Sequence, residues 1–184
     1  RPVERPGHPV GLEGGAGPGR RLHGGGQTAP EAPLSNFLLA EAVEAAGLPP
    51  GVVNVVPGGR EVGEHLVTQP GVDKLACTGA TAAGKRIISL CGERLTRVSL
   101  ELGGKSAAVL LDDVDLAAVM PGLIHGGMHL SGQVCGLLSR ILVPRSRYAE
   151  AVGFAAADAA HITYNNPHNP DTVVGPLVAE RQRT

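Results

Sequence analysis

Two short segments of the sequence hold the residue types that covalent catalysis needs. Residues 131–135 (SGQVC) end in a thiol at Cys135, and residues 99–106 (SLELGGKS) hold a carboxylate at Glu101, 34 positions earlier. A thiol is a nucleophile only as its thiolate, which calls for a helix terminus, a positive neighbour or a nearby base. Flanking glycines let backbone N–H groups approach the atom that the sulfur attacks. The two segments therefore indicate a nucleophilic cysteine, with Glu101 as a candidate base.

The same residue types also have ordinary structural interpretations. A single cysteine is more often a buried structural thiol than a nucleophile, and Glu101 alone would be a surface charge at a strand end. Cys77 and Cys91 are best interpreted as small core residues. His125 and His129 lie four positions apart, but no glutamate follows His125 and no third ligand is evident, so no metal site is predicted.

A glycine-containing loop joins a predicted strand to a predicted helix. It covers residues 78–84 (TGATAAG). Glycine lets the backbone come close to a pyrophosphate, and a helix N-terminus favours negative charge. The loop lacks the G-x-G-x-x-G pattern, so by spacing alone an ordinary strand-to-helix turn is an equal alternative. We expect Lys85 and Arg86 to lie on a solvated helix face rather than on phosphate.

Both catalytic segments, with their order and spacing, resemble the NAD(P)-dependent aldehyde dehydrogenase superfamily, from about Thr28 to the C-terminus. The resemblance implies that Cys135 attacks an aldehyde, that hydride passes to NAD or NADP, and that Glu101 directs the water that hydrolyses the thioester. CoA-acylating relatives are a poorer match, because they typically lack the general-base glutamate. The resemblance also implies a set of cofactor-binding positions, namely Gln27, Pro57, Gly58, Gly79, Ala80, Thr81, Gly84 and Leu102.

The chain departs from the family pattern at some of these positions. Gln27 stands where the family has a lysine that holds the cofactor ribose, and a neutral amide is a poor partner for a 2′-phosphate. Ala80 replaces the usual serine of the cofactor loop, so one hydroxyl contact is missing. Residues 126–131 replace an aromatic-rich stretch, which predicts altered packing of the substrate tunnel.

The first 26 residues differ in composition from the rest of the chain. Seventeen of them are Gly, Pro or Arg, and they have no hydrophobic period, which is typical of a flexible linker. Translated one base later, codons for residues 1–27 can encode VPWNAPVILSVWKVVPALAAGCTVVV, which is similar to the family segment before this point. We hypothesise a shifted frame that recovers near Thr28 and removes the family's oxyanion asparagine and ribose lysine. Codons incompatible with the second frame would refute it.

Helices and strands are predicted to alternate after this segment, which indicates a parallel sheet. The first helix is expected to begin at Ser35 as N-cap and to end at Gly47. The other predicted elements are a buried strand at residues 52–56, helices at 61–67 and 81–90, strands at 74–77, 98–101, 107–111 and 139–144, and a helix capped by aspartates near residue 115. Pro121 should kink or break that last helix.

The fold class is therefore predicted as α/β, with part of a doubly wound parallel-sheet cofactor domain followed by the start of the aldehyde dehydrogenase catalytic domain. The predicted divisions are a non-matching, disordered segment at residues 1–27, a partial dinucleotide-binding domain at 28–102 and a partial catalytic domain at 103–184. The chain begins at Arg1 and looks cut at both ends. A catalytically inactive remnant, or the product of a pseudogene, is the alternative to an active enzyme.

Composition limits the partners and the compartment. The 184 residues are 42% hydrophobic with a formal net charge of −1, so neither nucleic acid nor a membrane surface is an expected partner. No apolar run reaches about 18 residues, and three cysteines without metal-like spacing suit a cytoplasmic protein. A small-molecule aldehyde is the expected partner. The resemblance implies that full-length members are homo-oligomers, and we expect the C-terminal dimerisation arm of the family to be missing from this chain.

Overall fold

The computed structural model describes residues 10–13 and 23–183. The chain forms two compact units, of which one ends at Leu102 and the other begins at Gly103. Both units combine helices with parallel strand pairs, so the predicted α/β class is confirmed. Within the described ranges, no helix is long and apolar enough to cross a membrane.

The first unit is a five-stranded sheet with three helices among its described residues. In chain order its elements are β1 (Val10–Glu13), β2 (Gly24–Thr28), α1 (Leu34–Ala45), β3 (Val53–Pro57), α2 (Arg60–Thr68), β4 (Lys74–Gly79), α3 (Thr81–Gly92) and β5 (Arg97–Leu102). The strand order is β3-β2-β1-β4-β5. β2 is parallel to β3 and β4 is parallel to β5, whereas β1 is antiparallel to both of its neighbours. β2, β3, β4 and β5 therefore share one direction, and their carboxyl ends lie at one edge.

The N-terminal part of this sheet differs from the sequence-based expectation. A fully parallel sheet was predicted, but β1 makes it mixed. β1 and residues 24–27 also fall in the segment expected to be disordered, and the structure places them in strands. Ladder hydrogen bonds use only backbone groups, so a glycine-rich stretch without an apolar face can still be paired on both sides. Other parts of residues 1–27 lie outside the described residues.

Two local predictions about α1 and β3 are wrong. Ser35 is not the N-cap of α1, because the helix begins at Leu34 after Pro33, whose fixed φ suits a helix start. β3 was expected to be buried, but Val53 is 38% exposed because β3 is an edge strand of the sheet. Gly47 ends the helical segment with φ +72°, as predicted.

The core of the first unit lies between the sheet and the helices α2 and α3. Its buried members are Val67, Leu75, Cys77, Ile87 and Cys91. Both predicted core cysteines are thus buried, and burial raises the pKa of the Cys91 thiol. A thiol with a raised pKa is a poorer nucleophile at neutral pH, which leaves Cys135 as the candidate for chemistry.

Two arginines tie α3 to α2. Arg94, just beyond α3, donates to the carbonyl oxygen of Val67 at 2.5 Å and to that of Gln69, at the last turn of α2. Arg86 forms an ion pair with Glu64 on the exposed faces of the two helices, which lowers the pKa of the Glu64 carboxyl. The exposed position of Arg86 agrees with its prediction as a solvated residue.

Leu95 occupies a backbone conformation that favours glycine. It has φ +53° at the end of α3, where the Thr96 N–H bonds to the Cys91 carbonyl as in a Schellman motif. Its side chain is 89% exposed, so little packing offsets the strain. Leu95→Gly should therefore raise the free energy of unfolding by about 0.5–1 kcal/mol in urea titrations. Leu111→Gly, at an exposed leucine with ordinary φ, is the control and should not stabilise; equal effects would contradict the prediction.

The second unit is built on a parallel strand pair and two packed helices. Its elements are β6 (Ala107–Val109), α4 (Leu116–Gly127), a 3₁₀ turn (His129–Gly132), β7 (Arg140–Leu142), a 3₁₀ turn (Arg145–Arg147), α5 (Tyr148–Ala159) and a last 3₁₀ turn (Glu180–Gln182). Asp115 caps α4 as predicted, its Oδ1 accepting from the N–H groups of Ala117 and Ala118 at 3.0 and 3.3 Å. A kink or a break was predicted at Pro121; α4 is not broken there, since the helix continues through it with Leu116 and Met120 buried against α5.

Candidate active site

The carboxyl edge of the first sheet collects most of the predicted cofactor-binding residues. The register pairs Thr28 with Pro57 and Gly79 with Leu102 at the ends of their strands. Glu101 lies one residue before the end of β5 and is exposed. In open α/β sheets, ligands bind in the crevice outside the carboxyl ends of the strands. The fold thus brings residues from four strands to the edge where a dinucleotide would bind.

The N-terminus of α3 offers anion-binding groups at this edge. Ala80 precedes the helix in an extended conformation, with φ −72° and ψ 151°, and among the described residues no side chain caps the helix. Thr81 is the first helical residue and is exposed. The first N–H groups of a helix have no partner within it and carry partial positive charge. The donor set therefore fits a phosphate group.

Gly84 serves packing between α3 and β5. A Cβ at this position would lie 2.8 Å from both methyl carbons of Leu102 and 3.3 Å from Leu100 Cδ1. The Gly84 N–H is already bonded to the Ala80 carbonyl at 3.0 Å. Gly84 and Leu102 are thus brought together by the fold, and the glycine allows helix and sheet to approach closely.

Gln27 and Gly58 meet where β2 and β3 end. The side-chain amide of Gln27 donates to the carbonyl oxygen of Thr28 at 2.9 Å and to that of Gly58. Gly58 itself has no room for a side chain, since a Cβ would lie 2.5 Å from Val62 Cγ2. The donors of Gln27 are therefore engaged with backbone of the same edge.

Cys135 belongs to the second unit, whereas Glu101 belongs to the first. The Cys135 side chain is half-buried, and a Cβ at Gly104 would lie 3.4 Å from the Cys135 carbonyl oxygen. Residues 103–105 form a loop after β5, and Arg140 Nε donates to the Lys105 carbonyl of this loop at 2.8 Å. A Cβ at position 104 would therefore make ordinary van der Waals contact with the Cys135 backbone.

The backbone just before Cys135 is strained. Leu130 has φ 50° and ψ 40°, Ser131 has φ 59° and ψ 32°, and Gly132 has φ +75°. Left-handed conformations cost non-glycine residues on the order of 1 kcal/mol each and persist only where the surroundings impose them. Neither Leu130 nor Ser131 has a sequence signal for this conformation, so the strain was not predicted.

Two side-chain contacts hold the strained loop against residues 175–178. Ser131 Oγ donates to the Gly175 carbonyl at 2.8 Å. Gln133 is 7% exposed; its Nε2 donates to the Leu130 carbonyl at 3.1 Å, and its Oε1 accepts from the Val178 N–H at 3.2 Å. The bonds to Gly175 and Val178 each join residues more than 40 positions apart in sequence. In the sequence, Gln133 is part of the cysteine motif, and no sequence signal indicates its contacts with Leu130 and Val178.

The described part of the chain contains no group of three or more His, Cys, Asp or Glu side chains that could hold a metal ion. The residues predicted to act at the two sites supply a thiol at Cys135, a carboxylate at Glu101 and backbone N–H groups at the start of α3. A thiol and a base are the groups of covalent catalysis by a cysteine, and the backbone N–H groups of a helix terminus can bind an anion.

Comparison with known proteins supplies a family. Residues 27–184 match the model of the aldehyde dehydrogenase family. The chain is 46% identical over 150 residues to geranial dehydrogenase of Castellaniella defragrans, covering 82% of this chain and 31% of that protein. It is 41% identical over 145 residues to vanillin dehydrogenase of Amycolatopsis sp., covering 79% of this chain and 30% of that protein.

Solved structures give the same result. An aldehyde dehydrogenase of Mycobacterium tuberculosis complexed with NAD+ matches with a TM-score of 0.83 and 43% identity, covering 85% of this chain and 32% of that one. Aldehyde dehydrogenase C of Pseudomonas syringae, complexed with NAD+ and octanal, matches with a TM-score of 0.80 and 37% identity, covering 84% and 33%. The chain thus spans about a third of the length of the proteins that it matches.

Proposed function

The chain belongs to the aldehyde dehydrogenase family, and from this premise we propose that the protein oxidises an aldehyde to a carboxylic acid with NAD or NADP. The observation that carries the proposal is the family match over residues 27–184, which includes both the Cys135 and the Glu101 segments. We propose that the first unit is a partial dinucleotide-binding domain and the second the start of the catalytic domain.

The cofactor would lie at the carboxyl edge of the first sheet. Gly79, Ala80 and Thr81 would present the uncapped N-terminus of α3 to its phosphates. Pro57, Gly58 and Leu102 would form the neighbouring strand ends. NAD, when bound, supplies a hydride acceptor, and solved relatives of this chain are NAD complexes.

In the proposed reaction the Cys135 thiolate bonds to the aldehyde carbon and forms a thiohemiacetal. Loss of the aldehyde hydrogen as hydride converts this adduct into a thioester on Sγ. Glu101 removes a proton from the water that attacks the thioester carbon, so the carbon–sulfur bond breaks, the acid leaves and the thiol is restored. The aldehyde is a small molecule, and a cytoplasmic location suits the three cysteines.

A catalytically inactive remnant is the second candidate, and two observations favour it. The donors of Gln27 are engaged with the carbonyls of Thr28 and Gly58. Ala80 has no hydroxyl with which to bond a phosphate or to cap α3. Both features weaken cofactor binding, and neither affects Cys135 directly, so thiol chemistry and cofactor binding are to be tested separately.

Iodoacetamide labelling followed by mass spectrometry tests the nucleophile. Near neutral pH, Cys135 should react faster in the folded chain than in the urea-unfolded chain, because the fold would place a catalytic nucleophile in a reactive, half-buried position among flanking glycines. Cys77 and Cys91 should react more slowly when folded, since they are 8% and 2% exposed. The unfolded chain is the matched reference for each thiol. Folding that slows all three thiols would contradict the assignment of Cys135.

A further inference from the structure

The backbone that presents Cys135 has no regular secondary structure to fix it. Residues 130–132 form three consecutive left-handed positions, two of them without glycine. An unrestrained chain would leave this conformation for ordinary negative φ values, and the movement would carry Cys135 with it. Something in the fold must therefore hold the loop.

Gln133 meets this requirement from inside the protein. Its amide is buried, and both of its polar atoms are hydrogen-bonded. Nε2 donates to the Leu130 carbonyl, and Oε1 accepts from the Val178 N–H. One bond closes the strained turn on itself, and the other anchors it to a segment 45 positions later. Ser131 adds a parallel anchor to Gly175. A buried amide that lost either partner would leave polar groups unpaired, so the arrangement is strongly preferred over a relaxed loop.

We propose that Gln133 is a positioning residue for the Cys135 thiol. Residues 175–178 are the segment to which Gln133 and Ser131 anchor the loop. Gln133 acts through the backbone of residues 130–135, and the proposal assigns it no contact with substrate. The inference rests on the proposed function, because it concerns the reactivity of the proposed nucleophile.

The test compares two variants of the full chain. Gln133→Met keeps an unbranched side chain of similar length and removes both amide bonds. Thr163→Val is the control, because it also removes one donated and one accepted bond in the same unit. The Thr163 hydroxyl donates to the Asp171 carbonyl and accepts from the Val173 N–H. Alkylation of Cys135 is measured at about pH 7 and about pH 10, which separates thiolate formation from access to the sulfur.

Gln133→Met should lower the ratio of the pH 7 rate to the pH 10 rate by about tenfold, toward that of the urea-unfolded chain. Hydrogen exchange should accelerate at the Val178 amide, whose acceptor is lost, while α4 and α5 keep their protection. Thr163→Val should change neither. A merely structural role would alter access equally at both pH values and leave the ratio unchanged.

The outcomes distinguish the inference from the function on which it rests. If Cys135 is activated in the wild-type chain and its rate ratio is unchanged in Gln133→Met, the positioning role is refuted and the nucleophile stands. A rise of both rates by the same factor also refutes it, because Gln133 would then only limit access. A wild-type Cys135 that reacts no faster than its unfolded counterpart refutes the nucleophile, and the positioning role with it.

Discussion

Replacement of Gln27 by lysine should tighten NAD binding by about tenfold to a hundredfold. Residue 27 lies next to the end of β2, at the carboxyl edge where the cofactor would bind. The Gln27 amide is bonded to backbone, so the gain is one whole hydrogen bond from a charged group, about 1.5–3 kcal/mol or about tenfold to a hundredfold in affinity. An ammonium has three donors, so it can reach a ribose hydroxyl while keeping a bond to the carbonyls of Thr28 or Gly58.

Isothermal titration calorimetry with NAD measures this effect. Gln27→Met is the control, because it keeps the length of the side chain and adds no charge, so its affinity should not exceed that of the wild type. The wild-type chain is expected to bind NAD weakly. Equal dissociation constants for the lysine and methionine variants would argue against a cofactor contact at position 27.

Gly84→Val should lower the free energy of unfolding of the first unit by about 1–3 kcal/mol. Position 84 is buried, and a Cβ there already approaches both Leu102 methyl carbons at 2.8 Å and Leu100 at 3.3 Å. The added carbon atoms must push α3 away from β5, and the strand end that carries Glu101 moves with that contact. Urea unfolding followed by circular dichroism gives the difference.

Gly92→Val is the matched control for this substitution. Gly92 lies in the same helix, and a Cβ there meets nothing within 4 Å. Its free energy of unfolding should change by no more than about 0.5 kcal/mol, since surface substitutions have small effects. Similar losses at positions 84 and 92 would contradict the role of packing against β5, since valine has a higher helix propensity than glycine and a Cβ at position 92 meets nothing within 4 Å.

Local patterns in the sequence predicted the elements that form the carboxyl edge of the first sheet. The strand pattern of β4 and the helical pattern of α3 meet at the Gly79 loop as expected, because turn residues and hydrophobic period depend on near neighbours. The exposure of Val53 could not be predicted in the same way. Burial of a strand depends on which strands lie beside it, and β3 lies at the edge of the sheet.

In the candidate site, too, the sequence predicted local features but not contacts between distant residues. The residue types and spacing of Cys135 and Glu101 predict a nucleophile and a base without a structure. The engagement of Gln27 with Gly58, and of Gln133 with Val178, joins residues that are 31 and 45 positions apart, and no periodic pattern encodes such pairs. The left-handed turn at Leu130 was equally hidden, because leucine is not a residue that favours it.

Arg94 makes the end of α2 depend on the end of α3, so we expect the two helices to unfold together. α2 has nine residues, which is too short to persist in water without tertiary support. Its last carbonyls, at Val67 and Gln69, are bonded by a guanidinium that is fixed only while α3 is formed. Fraying at the C-terminus of α3 withdraws that cap and exposes Val67 and Cys91 together. We therefore expect hydrogen exchange to report one shared opening free energy for α2 and α3, and not two separate ones.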